Sequence, residues 1–249
     1  MINKLRSSAI YDSVVQDNDE RVFHNWHVSS LAMCPKAHYM KRLGVKTYNQ
    51  PTGAKILRWG AGHCIEDVIR EHISKVYGET ESNIRITSDK YDLTGEYDNL
   101  TIKDHRLVEV KSVHDLAFIE KDGMTGLKYD TGGKGPRGGV VWAIRDEPHL
   151  HYTLQQHGYV LLLKERGIAV ANIDYIFISL SGRVVAYSTK VDAEKIKWLE
   201  DRIELLNKAW KTKTPPPCTC KEFDSELYKS VYQYCDYKDE TNATCCEIK

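Results

Sequence analysis

The sequence lacks a long hydrophobic run. None of its apolar stretches approaches the roughly 18 consecutive residues that a membrane-spanning helix requires. Its first residues, MINKLRSSAIYDSVVQDNDE, also lack the apolar central region of a secretory signal. We therefore expect a cytoplasmic protein with no membrane partner. The 249 residues, 41% of them hydrophobic, are typical of one large or two small soluble domains with a packed core.

A net charge is also lacking, because 35 lysines and arginines balance 35 aspartates and glutamates. The overall charge therefore neither favours nor excludes a polyanionic partner. Any binding of nucleic acid would have to use a local basic patch.

Cysteine is present in an odd number, seven, and no export signal accompanies it. Both facts argue against a disulfide framework. Cys34 and Cys64 stand apart, and the other five are Cys218, Cys220, Cys235, Cys245 and Cys246. Clustered thiols of this kind indicate a metal centre. Four thiolates would suit either a four-iron four-sulfur cluster or a structural zinc ion.

The periodicity of the chain predicts helices and strands in alternation. Helical spacing covers residues 25–44, 52–78, 149–167 and 192–213. We expect the first helix to be capped by Ser29 or Ser30, the second to end at Gly78, and the fourth to be capped by Asp192. Alternating or β-branched runs cover residues 83–88, 91–102, 106–113, 170–180 and 182–191. This order predicts an α/β fold in which a mixed sheet is flanked by helices.

Three parts of the chain differ in composition. Residues 1–26 are polar and predict an N-terminal arm, residues 27–213 carry the helices and strands, and residues 214–249 form a cysteine-rich segment after a proline run. Within the main part, GMTGLKYDTGGKGPRGG at residues 123–139 holds seven glycines, which predicts a flexible loop. The length of this loop suggests a functional role.

Two carboxylates and one ammonium group are expected to meet at the strand LVEVKS. Glu109 and Lys111 project from one face of it because a strand repeats every two residues. Asp98 lies near the end of the preceding predicted strand. Carboxylate oxygens suit Mg²⁺ and Mn²⁺, and a nearby lysine can orient water or neutralise developing charge.

The alternative is an exposed Glu–Lys pair on a solvated strand face. The neighbours of the pair argue against it, because a strand this apolar is expected to be central, where unpaired charges are costly. These neighbours are Leu107, Val108, Val110 and Val113.

Two predicted helices carry further candidates. His63 and Glu66 lie three residues apart on one helical face, and Gln155 and Tyr159 lie four apart on another. Each has a structural alternative. His63 is often a core or surface histidine, Glu66 could simply pair with Arg70 at i+4, and the other two could belong to an ordinary amphipathic helix.

Four short motifs occur in a familiar order. They are G-x-x-H at Gly60–His63, G-x-x-D at Gly95–Asp98, E-V-K at Glu109–Lys111 and Q-x-x-x-Y at Gln155–Tyr159. In this order they resemble the PD-(D/E)XK nucleases of the RecB type. The bracketing cysteines make the chain most similar to the CRISPR-associated RecB-like exonucleases (the fourth Cas family) and their phage relatives. The resemblance covers roughly residues 27–246.

The resemblance implies a restriction-endonuclease-like fold and a metal-dependent DNA exonuclease. It implies that His63, Asp98, Glu109 and the Val110 carbonyl bind catalytic Mg²⁺ or Mn²⁺. Lys111 would activate the attacking water, and Gln155 and Tyr159 would position the DNA strand. The substrate would be single-stranded or end-bearing DNA, in phage recombination, repair or CRISPR adaptation, with a protein of such a pathway as partner. Tyr97 replaces the proline of the PD motif, and the glycine-rich insertion is longer than expected.

The resemblance also implies a cluster that joins the two chain ends. One upstream and three downstream ligands are expected: Cys34, Cys220, Cys235 and Cys245, with Cys218 and Cys246 as rivals. A four-iron four-sulfur cluster is the expected cofactor and zinc is the alternative. Cys64 is expected to be a buried apolar residue.

Basic residues in the glycine-rich segment, above all Lys134 and Arg137, are expected to contact DNA, because glycines allow backbone amides to approach phosphates. A disordered surface insertion is the alternative. Two other functions stay open on the sequence. One is a non-catalytic DNA-binding or adaptor module on the same fold, and the other is a structure-specific endonuclease.

Overall fold

The computed structural model describes residues 24–45, 51–134 and 140–219, together with residues 227, 235 and 237. The helices in these residues are α1 (Pro35–Arg42), α2 (Gly53–Tyr77), α3 (Leu150–Glu165) and α4 (Ala193–Thr212). The strands are β1 (Trp26–His27), β2 (Thr80–Ser88), β3 (Leu93–Thr101), β4 (Leu107–Ser112), β5 (Phe118–Lys121), β6 (Met124–Lys134), β7 (Val140–Ile144), β8 (Asn172–Ile178) and β9 (Val184–Lys190).

Six strands form one mixed sheet in the order β1-β3-β4-β8-β9, with β2 also paired to β3. The β2–β3, β3–β4 and β8–β9 pairs are antiparallel. The β4–β8 pair is parallel, so the chain between these strands must cross over, and α3 lies within that crossover. The predicted α/β fold with a mixed sheet and flanking helices is confirmed.

Helix ends follow the predicted chemistry at two of three places. The helix α2 ends at Gly78, whose φ of +81° suits a residue without a Cβ. The Asp192 side chain accepts hydrogen bonds from the backbone N–H groups of Glu194 (2.8 Å) and Lys195 (3.4 Å), which caps α4. The predicted cap at Ser29 or Ser30 is wrong. The helix α1 begins at Pro35, because a proline needs no partner for a missing N–H at that position.

The sheet carries an apolar core on both faces. On one face β4 contributes Val108 and Val110, which pack with Ile73 of α2. On the other face lies the larger cluster, which includes Tyr159 of α3 and Leu206 of α4. Burial of this apolar surface on both sides stabilises β4 as a central strand, as its sequence predicted.

The approach of α3 to the sheet is close. A Cβ on Gly95 of β3 would lie 2.7 Å from the Tyr159 ring and 2.9 Å from the Val28 side chain. Glycine at position 95 therefore permits the contact that holds α3 over the strand carrying Asp98.

The glycine-rich segment is a β-sheet over most of its length. Strands β5, β6 and β7 form a three-stranded antiparallel sheet, which we call the β-wing (residues 118–134 and 140–144). The flexible loop predicted for residues 123–139 is therefore wrong for residues 124–134. Leu127 is buried, and its N–H donates to the Tyr187 hydroxyl of β9 at 3.2 Å, which ties the β-wing to the main sheet. Arg137 lies outside the described residues.

Trp26 is fully buried and belongs to the main sheet, one residue before the predicted start of the central part. The other parts of the domain division, the N-terminal arm and the cysteine-rich segment, fall largely outside the described residues and stay predictions. No described helix combines the length and apolar character needed to cross a bilayer.

Candidate active site

The site begins where β3 and β4 separate. Their ladder pairs Asn99 with Val108 and Leu100 with Leu107. Farther along β4, the Val110 N–H donates to the Asp98 carboxylate (Oδ2, 3.0 Å). A side chain thus takes the place of a backbone carbonyl in this bond. As a result Asp98 meets β4 at the residue between Glu109 and Lys111.

Glu109 and Lys111 lie together on one face of β4, as their spacing predicted. The Lys111 Nζ is 2.5 Å from the Glu109 Oε1. Glu109 is only 2% exposed, and α3 supplies its remaining partners. Gln156 Nε2 donates to Glu109 Oε2, and Gln155 Nε2 is 3.5 Å from Oε1. The exposed ion pair that was the alternative is therefore not what the structure holds.

The charged groups of the site shift each other's pKa. Burial raises the pKa of Glu109 to about 7; the Lys111 ammonium opposes that rise and the Asp98 carboxylate adds to it. Burial lowers the pKa of Lys111, but Glu109 and Asp98 outweigh that effect, so this pKa is raised overall. Lys111 therefore remains an ammonium group at neutral pH.

Helix α2 brings a third carboxylate to the site. A Cβ on Gly62 would collide with the Ser112 side chain, so glycine allows α2 to lie against the end of β4. One turn later, Glu66 Oε1 accepts hydrogen bonds from the Ser112 N–H (2.9 Å) and hydroxyl (3.1 Å). The His63 side chain is 76% exposed, and its Nδ1 lies 3.3 Å from Glu66 Oε2.

The simple pairing of Glu66 with Arg70 is wrong. Arg70 binds Asp67 instead, at 2.5 Å, and its second terminal nitrogen is 3.9 Å from Asp98 Oδ1. Glu66 is therefore available to accept hydrogen bonds at the end of β4, and the Arg70 guanidinium lies close to Asp98. Sequence spacing alone could not separate these two arrangements, because i+3 and i+4 partners lie on the same helical face.

Tyr159 is 2% exposed and packs edge-on against Tyr97, with ring centroids 6.4 Å apart. Burial raises its pKa, and a hydrogen bond joins its side chain to Gln155. Tyr159 thus contacts Gln155 and Tyr97 inside the core, and the predicted role of Gln155 and Tyr159 in positioning DNA stays a prediction. Gln156 is a residue that sequence reasoning missed. The sequence feature that could have identified Gln156 is its position directly after Gln155, as a second side-chain amide in an apolar helix.

A cavity of about 590 Å³ opens beside Lys111 and Ser112, at the end of β4. Lys111 contributes to its lining from β4, and α2 contributes Lys55, Arg58, Trp59, His63 and Glu66. The available donors, carboxylate oxygens and a backbone carbonyl, are those that Mg²⁺ and Mn²⁺ prefer. Within the described part of the chain, however, no three acidic, histidine or cysteine side chains are gathered into a preformed ion site. The donor chemistry fits a hard cation, and in this structure Lys111, Ser112 and the Val110 N–H hold the carboxylates.

Of the four described cysteines, Cys34 and Cys235 are buried, Cys218 is partly buried and Cys64 is exposed. Cys34 and Cys235 are buried in the same core cluster, and Cys218 packs against it. The Cys34 Sγ is 3.7 Å from the Cys218 Sγ, so the described residues place the rival Cys218 beside Cys34. Cys218 is disulfide-bonded in this structure, whereas a cluster ligand must be a thiolate. Cys220, Cys245 and Cys246 lie outside the described residues. The prediction for Cys64 is wrong, because α2 leaves it exposed.

Comparison with known proteins finds similar proteins by structure alone. No protein-family model and no curated protein matches the chain. The alkaline exonuclease LHK-Exo from Laribacter hongkongensis is 12% identical with a TM-score of 0.50, over 82% of this chain and 93% of that one. Its complex with dAMP gives the same values. A phage-related exonuclease from Haemophilus somnus 129PT is 15% identical with a TM-score of 0.41, over 77% of this chain and 96% of that one. At such identities the likeness to LHK-Exo shows a shared fold.

Proposed function

We propose that the protein is a metal-dependent DNA exonuclease that hydrolyses phosphodiester bonds at single-stranded ends. The observation that carries this proposal is the meeting of Asp98, Glu109 and Lys111 where β3 and β4 separate. Of the three, Lys111 lines an adjoining cavity. The fold shared with a protein named as an alkaline exonuclease supports it. The motif resemblance adds the RecB-type assignment.

Asp98, Glu109 and the Val110 carbonyl would hold Mg²⁺ or Mn²⁺, with His63 as the ligand from α2. Glu66 is a further carboxylate within reach of the same end of β4. A bound ion would supply a Lewis acid and an activated water. The Lys111 ammonium would orient that water and stabilise negative charge on the phosphoryl group. Gln155 and Gln156 would fix the direction in which the Glu109 carboxylate points.

The second cofactor is proposed at the buried cysteines. Cys34, Cys220, Cys235 and Cys245 would hold a four-iron four-sulfur cluster, with zinc as the alternative metal. Cys246 is a rival ligand, and Cys218 would be one only after reduction of its disulfide. The burial of Cys34 and Cys235 in the same core cluster supports this location. The pathway that we propose is DNA-end processing in phage recombination, repair or CRISPR adaptation, together with a protein of that pathway.

The test is a nuclease assay on oligonucleotides labelled separately at the 5′ and 3′ ends, with Mg²⁺, with Mn²⁺ and with EDTA. We expect metal-dependent release of nucleotides from one end of linear single strands. Circular single-stranded DNA should resist, and its cleavage would show an endonuclease instead. DNA binding by gel shift without any cleavage would support the adaptor function and refute the exonuclease.

A further inference from the structure

One tryptophan stands out by its position. Trp59 is 48% exposed on α2, although an indole is normally packed in the core. It lies four residues before His63 and lines the same cavity as His63, Glu66 and Lys111. An exposed indole beside the proposed reaction centre needs an explanation that packing does not provide.

Cations accompany this indole. The Lys55 Nζ lies 5.1 Å from the centre of the Trp59 ring. Arg58 also lines the cavity, and its Nε donates to the Ala54 carbonyl at 3.2 Å, which directs the side chain along the helix. A nucleotide joins a flat base to a phosphate, so a site that binds both needs an aromatic surface and a cation side by side. Trp59, Lys55 and Arg58 supply that combination.

We propose that Trp59 is the stacking platform for one unpaired base of the DNA strand, and that Lys55 and Arg58 contact the adjoining phosphates. The nature of the ligand rests on the proposed function. Inside a duplex both faces of a base are covered by its neighbours, whereas an unpaired base offers a free face. A cavity of about 590 Å³ is of the size that holds one small ligand, which suits one unpaired nucleotide.

The test measures the affinity of the full chain for fluorescent (dT)12 by anisotropy in EDTA, where no metal-dependent cleavage can occur. Stacking on an aromatic side chain predicts that Trp59→Ala binds about 5- to 150-fold more weakly than wild type. Trp59→Phe should recover most of the loss. Leu57→Ala removes an exposed apolar side chain from the same helix outside the cavity, so it should bind as wild type does.

An abasic scan then identifies the stacked base. The affinity of the wild type should fall by a similar factor when one particular thymine is replaced by an abasic residue. The affinity of Trp59→Ala should not fall further when the same thymine is replaced. Three results would each overturn the platform. They are no binding of (dT)12 by the wild type, equal affinity of wild type and Trp59→Ala, and losses of affinity that add to that of Trp59→Ala at every abasic position. If wild type binds with this coupling but does not cleave DNA in Mg²⁺ or Mn²⁺, the platform stands and the exonuclease proposal fails.

Discussion

At the scale of single residues, the site depends on a side chain that replaces a backbone group. Asp98 accepts the Val110 N–H, a bond that a strand carbonyl would otherwise make. Its carboxylate is therefore held against β4 before any ion binds. Glu109 is held in a similar way by Lys111 and Gln156. Such prior positioning reduces the cost of organising the site for reaction.

We predict that Asp98→Asn and Glu109→Gln each abolish cleavage without unfolding the protein. Asparagine can still accept the Val110 N–H, and glutamine keeps the shape of Glu109, but neither offers a second charged oxygen to a cation. Truncation of Glu109 to alanine is a poorer test, because it would leave a cavity where the buried Glu109 side chain stood and remove the hydrogen-bond acceptor of the partly buried Lys111 ammonium. The measurements are the cleavage rate and the melting temperature with and without Mn²⁺.

Mn²⁺ at about 100 times its dissociation constant should stabilise the wild type by about 2.7 kcal/mol. Asp98→Asn should lose this stabilisation, whereas Asp89→Asn, an exposed aspartate in the β2–β3 turn, should keep it. Cleavage by Asp98→Asn at the wild-type rate would contradict the assignment.

At the scale of secondary-structure elements, a buried histidine joins α3 to the start of α4. The His157 Nε2 accepts the Asp192 N–H (2.9 Å), so its Nδ1 carries the proton and donates to the Thr153 carbonyl (2.7 Å). Burial lowers the pKa of His157 below its usual 6.5. Protonation of the ring would place a second N–H against the Asp192 N–H at the cap of α4.

Because the pKa of His157 is lower in the folded state than in the unfolded state, its contribution to stability is present above pH 6.5 and is lost as the pH falls below that value. We predict that the difference in the free energy of unfolding between wild type and His157→Gln falls by up to about 1.4 kcal/mol per pH unit as the pH decreases below 6.5. Urea unfolding at pH 7.5, 6.5 and 5.5 measures this difference. His72→Gln, at an exposed position of α2, is the control and should follow the wild type. A wild-type and His157→Gln difference that does not change with pH would contradict this role.

The β-wing carries the next prediction. Lys134 ends β6 opposite Val140 and is exposed. If this end of the β-wing binds DNA phosphates, Lys134→Gln combined with Arg137→Gln should raise KM. The variant should also reduce the slope of log affinity against log salt by about 0.7 for each phosphate of a single strand that it no longer neutralises. Lys103→Gln, an exposed lysine in the turn after β3, is the control and should change neither quantity. An unchanged salt slope in the β-wing variant would show that this end of the β-wing does not bind DNA.

At the scale of the whole molecule, the cysteine group connects distant parts of the chain. Cys34 and Cys218 are 184 residues apart and their sulfurs are 3.7 Å apart. A metal centre at this place would close a very long loop. Ligation would then contribute directly to folding, because it restricts the unfolded chain.

We predict that Cys34→Ser loses both solubility and the metal centre, while Cys64→Ser, at the exposed position on α2, keeps both. Protein purified without oxygen should be brown with broad visible absorbance, since iron–sulfur charge transfer absorbs there and zinc does not. Elemental analysis separates the possibilities. One zinc per chain without iron would refute the cluster, full iron content in Cys34→Ser would refute the ligand, and absence of both metals would favour a disulfide centre at Cys218.

The sequence by itself determined the local features of this protein. The two-residue period of a strand placed Glu109 and Lys111 on one face, Asp192 capped α4, and Gly78 ended α2, because each depends on neighbours along the chain. Only the tertiary structure decided that Glu66 turns to Ser112, that Gln156 binds Glu109, and that Asp98 completes the β3–β4 ladder. The β-wing belongs to the same class. Its glycines indicated a loop, and partners distant in sequence, such as Tyr187 for Leu127, supply the hydrogen bonds and burial that stabilise it as a sheet.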